Sequence, residues 1–243
     1  IIPSLVAATG ADVLLSTDTF VNQYARSSES SELSALKFIV CGAERVKPET
    51  HDMVADRFGV MLVEGYGVTE CSPVVAVNQP DDNRRGTVGR LAPAIETRVE
   101  SVEGIKEGGR LFIRGPNVML GYINAEGGFD APADGWYDTG DVVAIDEDGL
   151  VRILGRAKRF AKIGGEMVSL AAVEELAGGA WPEARHAAVS LSDERKGERL
   201  VLVTDQANAE PGPLLAHAKA AGAPELAVPR RIIRVNEVPA LAS

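Results

Sequence analysis

Residues 37–63 read KFIVCGAERVKPETHDMVADRFGVMLV, and this stretch decides the fold. Lys37–Cys41 is β-branched and aromatic, which suits a buried strand. Pro48 sits well as a first helical residue, because the first N–H of a helix has no partner to lose. Glu49–Phe58 continues the helix until Gly59 stops it. Val60–Val63 is the next strand. Strand–helix–strand at this spacing predicts a parallel crossover unit. Upstream, Asp12–Leu15 is another short apolar strand. Thr17 or Asp18 can cap a helix through Ala25 by accepting a hydrogen bond from a free N–H of its first turn. Ser27–Ser34 reads as a Ser/Glu-rich loop.

The pattern changes after about residue 85. Gly and Pro become frequent, and the apolar runs are short and alternate: Glu96–Glu100, Arg110–Arg114, Val142–Ile145 and Val151–Leu154. Asp146-Glu147-Asp148-Gly149 predicts a hairpin turn, with Gly supplying a positive φ. This region reads as antiparallel sheet, in the form of a small distorted barrel. From Gly155 the pattern is strand, helix (Ser169–Ala177), two strands (His186–Ser192, Arg199–Thr204), helix (Leu214–Ala221) and strand (Arg231–Val235). The expected class is therefore α/β. It divides into the end of a large α/β subdomain (1–85), a β-rich subdomain (86–157) and a small α+β domain (158–243).

Composition narrows the function. The 243 residues carry 25 Lys+Arg against 35 Asp+Glu, a net charge of −10. That argues against a general nucleic-acid binder, which needs a basic face. At 45% hydrophobic the chain is too apolar for disorder. No apolar run approaches the ~18 residues that span a bilayer. Ile1–Leu15 is apolar but lacks a basic flank and is interrupted by Pro3 and Asp12, so it makes a poor signal peptide. Cys41 and Cys71 are isolated, which fits two buried reduced thiols of a cytoplasmic protein. His51, His186 and His217 show no ligand spacing. The chain starts at Ile rather than Met, which suggests a piece of something longer.

Three segments can carry chemistry. Glu64-Gly65-Tyr66-Gly67-Val68-Thr69-Glu70 follows a strand. Its glycines let backbone approach a flat ligand while the ring stacks on it, and Thr69 with Glu70 offers hard oxygens to phosphate and Mg²⁺, or the segment is simply a strand-to-loop turn with a surface Glu. Gly135-Trp136-Tyr137-Asp138-Thr139-Gly140-Asp141 precedes a strand. An Asp on such a turn can take two ribose hydroxyls, or simply close a hairpin. Gly155–Glu166 places Arg156, Lys158, Arg159 and Lys162 within seven residues, followed by Gly164-Gly165 and then a helix. That cluster can meet phosphates or an acidic partner, or be a solvated charged strand.

In this order, Tyr-Gly-x-Thr-Glu, then Gly-Arg-Leu-Phe-Ile-Arg-Gly-Pro (109–116) with Gly121-Tyr122, then Tyr-Asp-Thr-Gly-Asp, then Gly-Arg-x-Lys-x-x-x-Lys-x-x-Gly resembles the AMP-forming acyl ligase family. That family includes acyl-CoA synthetases, peptide-synthetase adenylation domains and firefly luciferase. Arg156–Ser169 and Pro224–Arg230 look most like the acyl carrier protein synthetase part of the bacterial bifunctional 2-acylglycerophosphoethanolamine acyltransferase. The resemblance implies activation of a fatty acid by ATP as an acyl-adenylate, then transfer to the thiol of acyl carrier protein or CoA. It implies that Tyr66 stacks on adenine with Gly67 beside it and Gly42-Ala43-Glu44 next to the base. Thr69 would bind phosphate, and Glu70 would hold Mg²⁺. Asp141 would grip the ribose diol of ATP or AMP, with Arg156 near ribose and phosphate. Lys158 would be a hinge, although many relatives have Asp there. Arg159, Lys162, Gly164 and Gly165 would meet the thiol arm or its carrier.

Two features of that family are absent from the sequence. One is the Ser/Thr/Gly-rich phosphate loop with its lysine. The other is the C-terminal lysine, for which Val238-Pro239-Ala240-Leu241-Ala242-Ser243 reads as a lead-in. Losing such a positioned charge typically costs several kcal/mol in the transition state, so the expectation is that this polypeptide alone is inactive. A ligase for another carboxylic acid, or a non-catalytic nucleotide-binding module, are the alternatives. The resemblance implies a cytoplasmic protein whose parent reaches the inner membrane only through parts not present here.

Overall fold

A computed structural model describes residues 1–193 and 197–239. It divides into two compact units, the first being Ile1–Val99, Leu111–Thr139 and Val143–Ile153, and the second Glu100–Arg110, Gly140–Val142 and Leu154 onward. The first unit begins with α1 (Ile2–Thr9), β1 (Val13–Ser16), α2 (Asp18–Ser27), α3 (Ser30–Leu33), β2 (Phe38–Cys41), α4 (Pro48–Phe58) and β3 (Met61–Gly67). β1, β2 and β3 are parallel neighbours, with Val13 opposite Phe38 and Phe38 opposite Met61. This is the crossover that residues 37–63 predict. Pro48 opens α4, and Gly59 closes it in the left-handed conformation at φ 66°. Val21, Ala25, Ile39, Val54, Phe58 and Leu62 form the core under these strands. Fully burying a side chain such as Ile39 contributes about 1.5–3 kcal/mol.

The expected loop at Ser27–Ser34 contains α3. Glu29 caps it, and the Glu32 carboxylate reaches back to the Glu29 N–H at 2.9 Å, so two end groups satisfy each other. β4 (Val74–Val77) and β5 (Arg90–Leu91) add to β3 antiparallel and complete a five-stranded mixed sheet.

The next strands are β6 (Glu96–Glu100), β7 (Gly109–Arg114), β8 (Tyr122–Ile123), β9 (Phe129–Asp130), β10 (Tyr137–Ile145) and β11 (Val151–Arg156). Among the described residues β8 and β9 form a two-stranded sheet of their own. The other four form a sheet in the order β11-β10-β7-β6. The end strands β11 and β6 do not pair with each other, so the described residues form no closed barrel. Leu111, Ile113, Val143 and Val151 pack with Cys71, Val75 and Ala76 into a second core. The turn between β10 and β11 is the predicted one: Asp146 Oδ1 accepts from the N–H groups of Asp148 (3.0 Å) and Leu150 (2.9 Å), and Gly149 has φ 79°.

The second unit contains β12 (Phe160–Ile163), β13 (Glu166–Ser169), α5 (Leu170–Ala180), β14 (His186–Asp193), β15 (Gly197–Thr204), α6 (Pro211–Ala220) and β16 (Arg231–Arg234). β15 pairs along its length with β14, and β12 and β16 also pair with it. Val173 and Ala177 of α5, Leu214 and Ala218 of α6 and Leu202 of the sheet share one core. The helices lie so close that a Cβ on Gly179 would sit 2.5 Å from His217 Nε2. The sequence places a helix directly after Gly164-Gly165. Instead these glycines turn the β12–β13 hairpin, at φ 60° and 93°, and the helix waits until Leu170.

No helix among the described residues is long and apolar enough to cross a membrane. Both cysteines are free and buried.

Candidate functional site

In open α/β sheets, ligands bind outside the carboxyl ends of the parallel strands. In the first unit those ends are Ser16, Cys41 and the run from Glu64 to Gly67. The loop leaving β2 is Gly42-Ala43-Glu44. The Gly42 N–H donates to the Ser16 carbonyl at 3.1 Å. A Cβ on Gly42 would stand 3.6 Å from the Gly65 carbonyl oxygen, so the loop lies against β3. Ala43 holds φ 66°, a left-handed conformation that is uncommon for a residue with a Cβ. Glu44 accepts from the Thr19 hydroxyl at 2.7 Å and the Thr19 N–H at 3.0 Å. Burial alone raises its carboxyl, but these hydrogen bonds outweigh burial and hold it below its ordinary 4.5.

Behind the strand ends, Glu64 and His51 form a buried pair at 3.3 Å. Glu64 also accepts from the Gly86 N–H at 3.1 Å.

The sequence reads Tyr66-Gly67 as lying beyond a strand, yet both residues lie within β3. The ladder to β4 shifts register between them. Gly67 is required by close approach: a Cβ there would be 2.4 Å from the Pro73 carbonyl oxygen. Tyr66 is half-buried and packs against the Cys71–Val75 core. Thr69 and Glu70 then form a single 3-10 turn, Thr69–Cys71, with Thr69 exposed and Glu70 half-buried.

A distant segment clamps this turn. Met119 N–H donates to the Glu70 carbonyl at 2.7 Å. Asn117 Nδ2 donates to the carbonyls of Cys71 (2.8 Å) and Val74 (3.0 Å). Tyr122 donates its hydroxyl to Glu70 Oε1 at 2.7 Å. That bond to a carboxylate raises the Tyr122 phenol. Burial, with the Tyr122 hydroxyl and the Glu70 carboxylate close by, raises Tyr137 as well. The sequence singles out Gly121-Tyr122 without giving the tyrosine a task; its contact with Glu70 spans 52 residues.

Mg²⁺ follows from the resemblance. No three His, Cys, Asp or Glu among the described residues gather to hold a metal. One carboxylate beside one hydroxyl, Glu70 and Thr69, does not make a closed protein cage. It does fit Mg²⁺, which keeps waters and binds through one or two carboxylates plus substrate phosphates.

Asp141 and Arg156 belong to the second unit. The predicted turn before Asp141 is instead the opening of β10. Thr139 donates its hydroxyl to the Leu111 carbonyl at 2.9 Å, and Gly140 takes φ 70° within the strand. Asp141 is buried, and Arg156 Nε reaches its Oδ1 at 2.9 Å. Lys158 is exposed on the 3-10 turn Ala157–Arg159. Arg159 pairs with Glu174 at 2.6 Å and Lys162 with Glu103 at 2.8 Å. Gly164 and Gly165 are exposed, and a Cβ on either would meet nothing within 4 Å. Val238 is buried and Pro239 exposed, while the rest of the expected lead-in, residues 240–243, lies outside the described residues.

The sequence model of the AMP-binding enzyme family matches residues 2–123. An indoleacetate–CoA ligase of Aromatoleum aromaticum is 38% identical over 182 residues, 72% of this chain and 36% of that protein. A long-chain-fatty-acid–CoA ligase of Yersinia pestis is 32% identical over 212 residues, 83% of this chain and 38% of that protein. The chain thus spans little more than a third of these relatives. ATP-bound MatB from Rhodopseudomonas palustris superposes with a TM-score of 0.79 at 25% identity, over 100% of this chain and 51% of that one. The AMP complex of MenE from Bacillus subtilis gives 0.80 over 97% of this chain and 49% of that one, a likeness of fold at 20% identity.

Proposed function

This chain belongs to the AMP-binding enzyme family, and from that premise we propose that it is part of an ATP-dependent, AMP-forming acid–thiol ligase. The observation that carries the reading is the gathering of Gly42–Glu44 and Tyr66–Glu70 at the carboxyl ends of β2 and β3 in one unit. In the proposed first step a carboxylate oxygen attacks the α-phosphorus of ATP. The bond to pyrophosphate breaks, and an acyl-adenylate remains. A thiol sulfur then attacks the acyl carbon, loses its proton, and expels AMP.

In this reading Tyr66 stacks on adenine beside Gly67, with Gly42-Ala43-Glu44 along the base. Thr69 binds phosphate. Glu70 would hold Mg²⁺, which would supply charge neutralisation toward the pyrophosphate. Asp141 takes the ribose hydroxyls and Arg156 the neighbouring oxygens. Lys158 marks the hinge at which 158–243 turns between the two steps. We assign the reaction to the cytoplasm, where ATP and its thiol acceptors are held. The chain contains neither lysine-bearing element of the family, so we propose that it does not complete the chemistry alone.

A fatty acid is the first acid class to test, because the long-chain-fatty-acid ligase matches the larger share of this chain of the two ligases. CoA is the thiol supported by both named relatives. Acyl carrier protein is the second reading. Arg159 and Lys162 keep 45% and 47% side-chain exposure despite their ion pairs, so an acidic carrier can compete for them. If the acyltransferase-linked synthetase is the right relative, the carrier is the preferred acceptor.

The test is acid-dependent AMP release by the full-length enzyme, with a panel of acids against CoA and carrier protein. Release with a fatty acid and one of these thiols is expected. No release with any acid overturns the ligase reading. Reversing the charges of Arg159 and Lys162 should raise the Michaelis constant for carrier protein more than for ATP; equal effects dispose of the carrier reading.

A further inference from the structure

Two motif tyrosines have no task in this scheme, and both converge on its metal ligand. Tyr122 opens β8 and Tyr137 opens β10. The Tyr122 hydroxyl donates to Glu70 Oε1 at 2.7 Å, and the Tyr137 phenol lies beside both Tyr122 and Glu70. All three lie in the first unit. β8 can bring Tyr122 there because Gly121 has no side chain: a Cβ on it would fall 2.4 Å from the Asp130 carbonyl oxygen of β9.

We propose that Tyr122, braced by Tyr137, is a positioning residue for Glu70, fixing the direction in which its carboxylate meets a metal-bound phosphate. This rests on the reading of Glu70 given above. A glutamate side chain has several rotatable bonds, and holding it still costs rotamer entropy. A phenol offers a short, charge-assisted hydrogen bond on a ring with only two torsions. Partners of this kind orient metal ligands and set metal affinity without touching the metal.

The phenol is not needed to hold the loop. The 3-10 turn is already fastened by the Met119 N–H and by the two bonds of Asn117. Tyr122 is also 51% exposed, so its hydroxyl is not an anchor of the core. What it holds is the Glu70 carboxylate itself.

The experiment is calorimetric titration of this chain with AMP in the absence of Mg²⁺, and with ATP in its presence. Tyr122→Phe should leave AMP affinity unchanged and weaken Mg²⁺–ATP binding by about tenfold. Tyr137→Phe should cause a smaller loss in the same direction. In a Glu70→Gln background, Tyr122→Phe should have no further effect, because a residue that acts through Glu70 has nothing left to act on. Melting temperatures of the three variants establish that each is folded. Equal losses for AMP and Mg²⁺–ATP, no loss for Mg²⁺–ATP, or an additive loss in the Glu70→Gln background would each overturn the assignment while leaving the ligase reading intact. A wild-type chain that binds neither nucleotide overturns both.

Discussion

The half-exposed guanidinium of Arg156 rests on the buried carboxylate of Asp141, Nε to Oδ1, at 2.9 Å. Asp141 lies within β10 beside the buried Val142, Val143 and Ala144. A carboxylate in such surroundings is costly unless a cation or hydrogen-bond donors meet it. The proposed ligand therefore encounters an aspartate whose orientation is already set from within its own unit. A carboxylate offers about four lone-pair sites, so an arginine bond and a ribose diol are compatible.

Removing the cation should destabilise the second unit. A fully buried pair costs about 3–5 kcal/mol when one partner is deleted. Arg156 is 59% exposed, so solvent screens much of that, and Arg156→Ala should cost about 1–2 kcal/mol. Urea denaturation of the variant against wild type measures it. A variant as stable as wild type would mean that Asp141 is satisfied without this arginine.

Asp141→Asn should separate binding from stability. The amide keeps the shape but loses the charge-assisted acceptor. AMP affinity should drop by about tenfold or more, the equivalent of one strong hydrogen bond, while the protein stays folded. Calorimetry with AMP, beside a thermal melt, reads both. Unchanged affinity removes Asp141 from the nucleotide site.

Gly67→Ala tests the geometry that brings Tyr66 and Glu70 to the strand end. Its Cβ would lie 2.4 Å from a backbone oxygen of Pro73, and backbone cannot rotate away as a side chain can. The Val68 N–H bond to that same oxygen, 2.9 Å long, would be disturbed. The expected cost is about 1–3 kcal/mol, accompanied by weakened nucleotide binding. A variant with wild-type melting and wild-type AMP affinity would show that the turn can yield.

The parallel crossover was legible because its signals are local: Pro48, Gly59 and two β-branched runs. Other features were hidden by their dependence on distant partners. Tyr137-Asp138-Thr139 reads as a turn, but Thr139 bonds to the Leu111 carbonyl and β7 draws the segment into a sheet. Gly164-Gly165 is followed by a strand rather than a helix because Phe160–Ile163 pairs with Glu166–Ser169. The signal for α3 was local and was masked by serine content: Glu29 and Glu32 are spaced as a capping pair. At the site, residue types pointed to Thr69 and Glu70, while the hydrogen bond from Tyr122 has no sequence signature across 52 positions.

The two thiols should be inert in the native protein. Burial pushes Cys41 up to about 12 and Cys71 up to about 11. The thiolate is the nucleophile, so at pH 8 an Ellman titration should find neither cysteine. Both should react at once in denaturant. Rapid labelling of either in native buffer would mean that its strand or turn opens.

Acid should loosen the Gly42–Glu44 loop through Glu44. Its carboxyl is held below 4.5 by the Thr19 hydroxyl and N–H, against the opposing effect of burial. A depressed carboxyl contributes stability that is fully present above the unfolded value. That stability is lost as pH falls from about 4.5 through the lower folded value. Thr19→Val removes the hydroxyl donor and keeps the N–H, so it should remove part of this pH dependence. Glu44 is exposed, so the change should be at most about 1 kcal/mol. Unfolding of wild type and Thr19→Val at pH 7 and near pH 4 tests it. The advantage of the wild type over the variant should shrink at the lower pH. An advantage that persists or grows on acidification would mean that the Thr19 hydroxyl stabilises the loop by packing rather than by holding a charge.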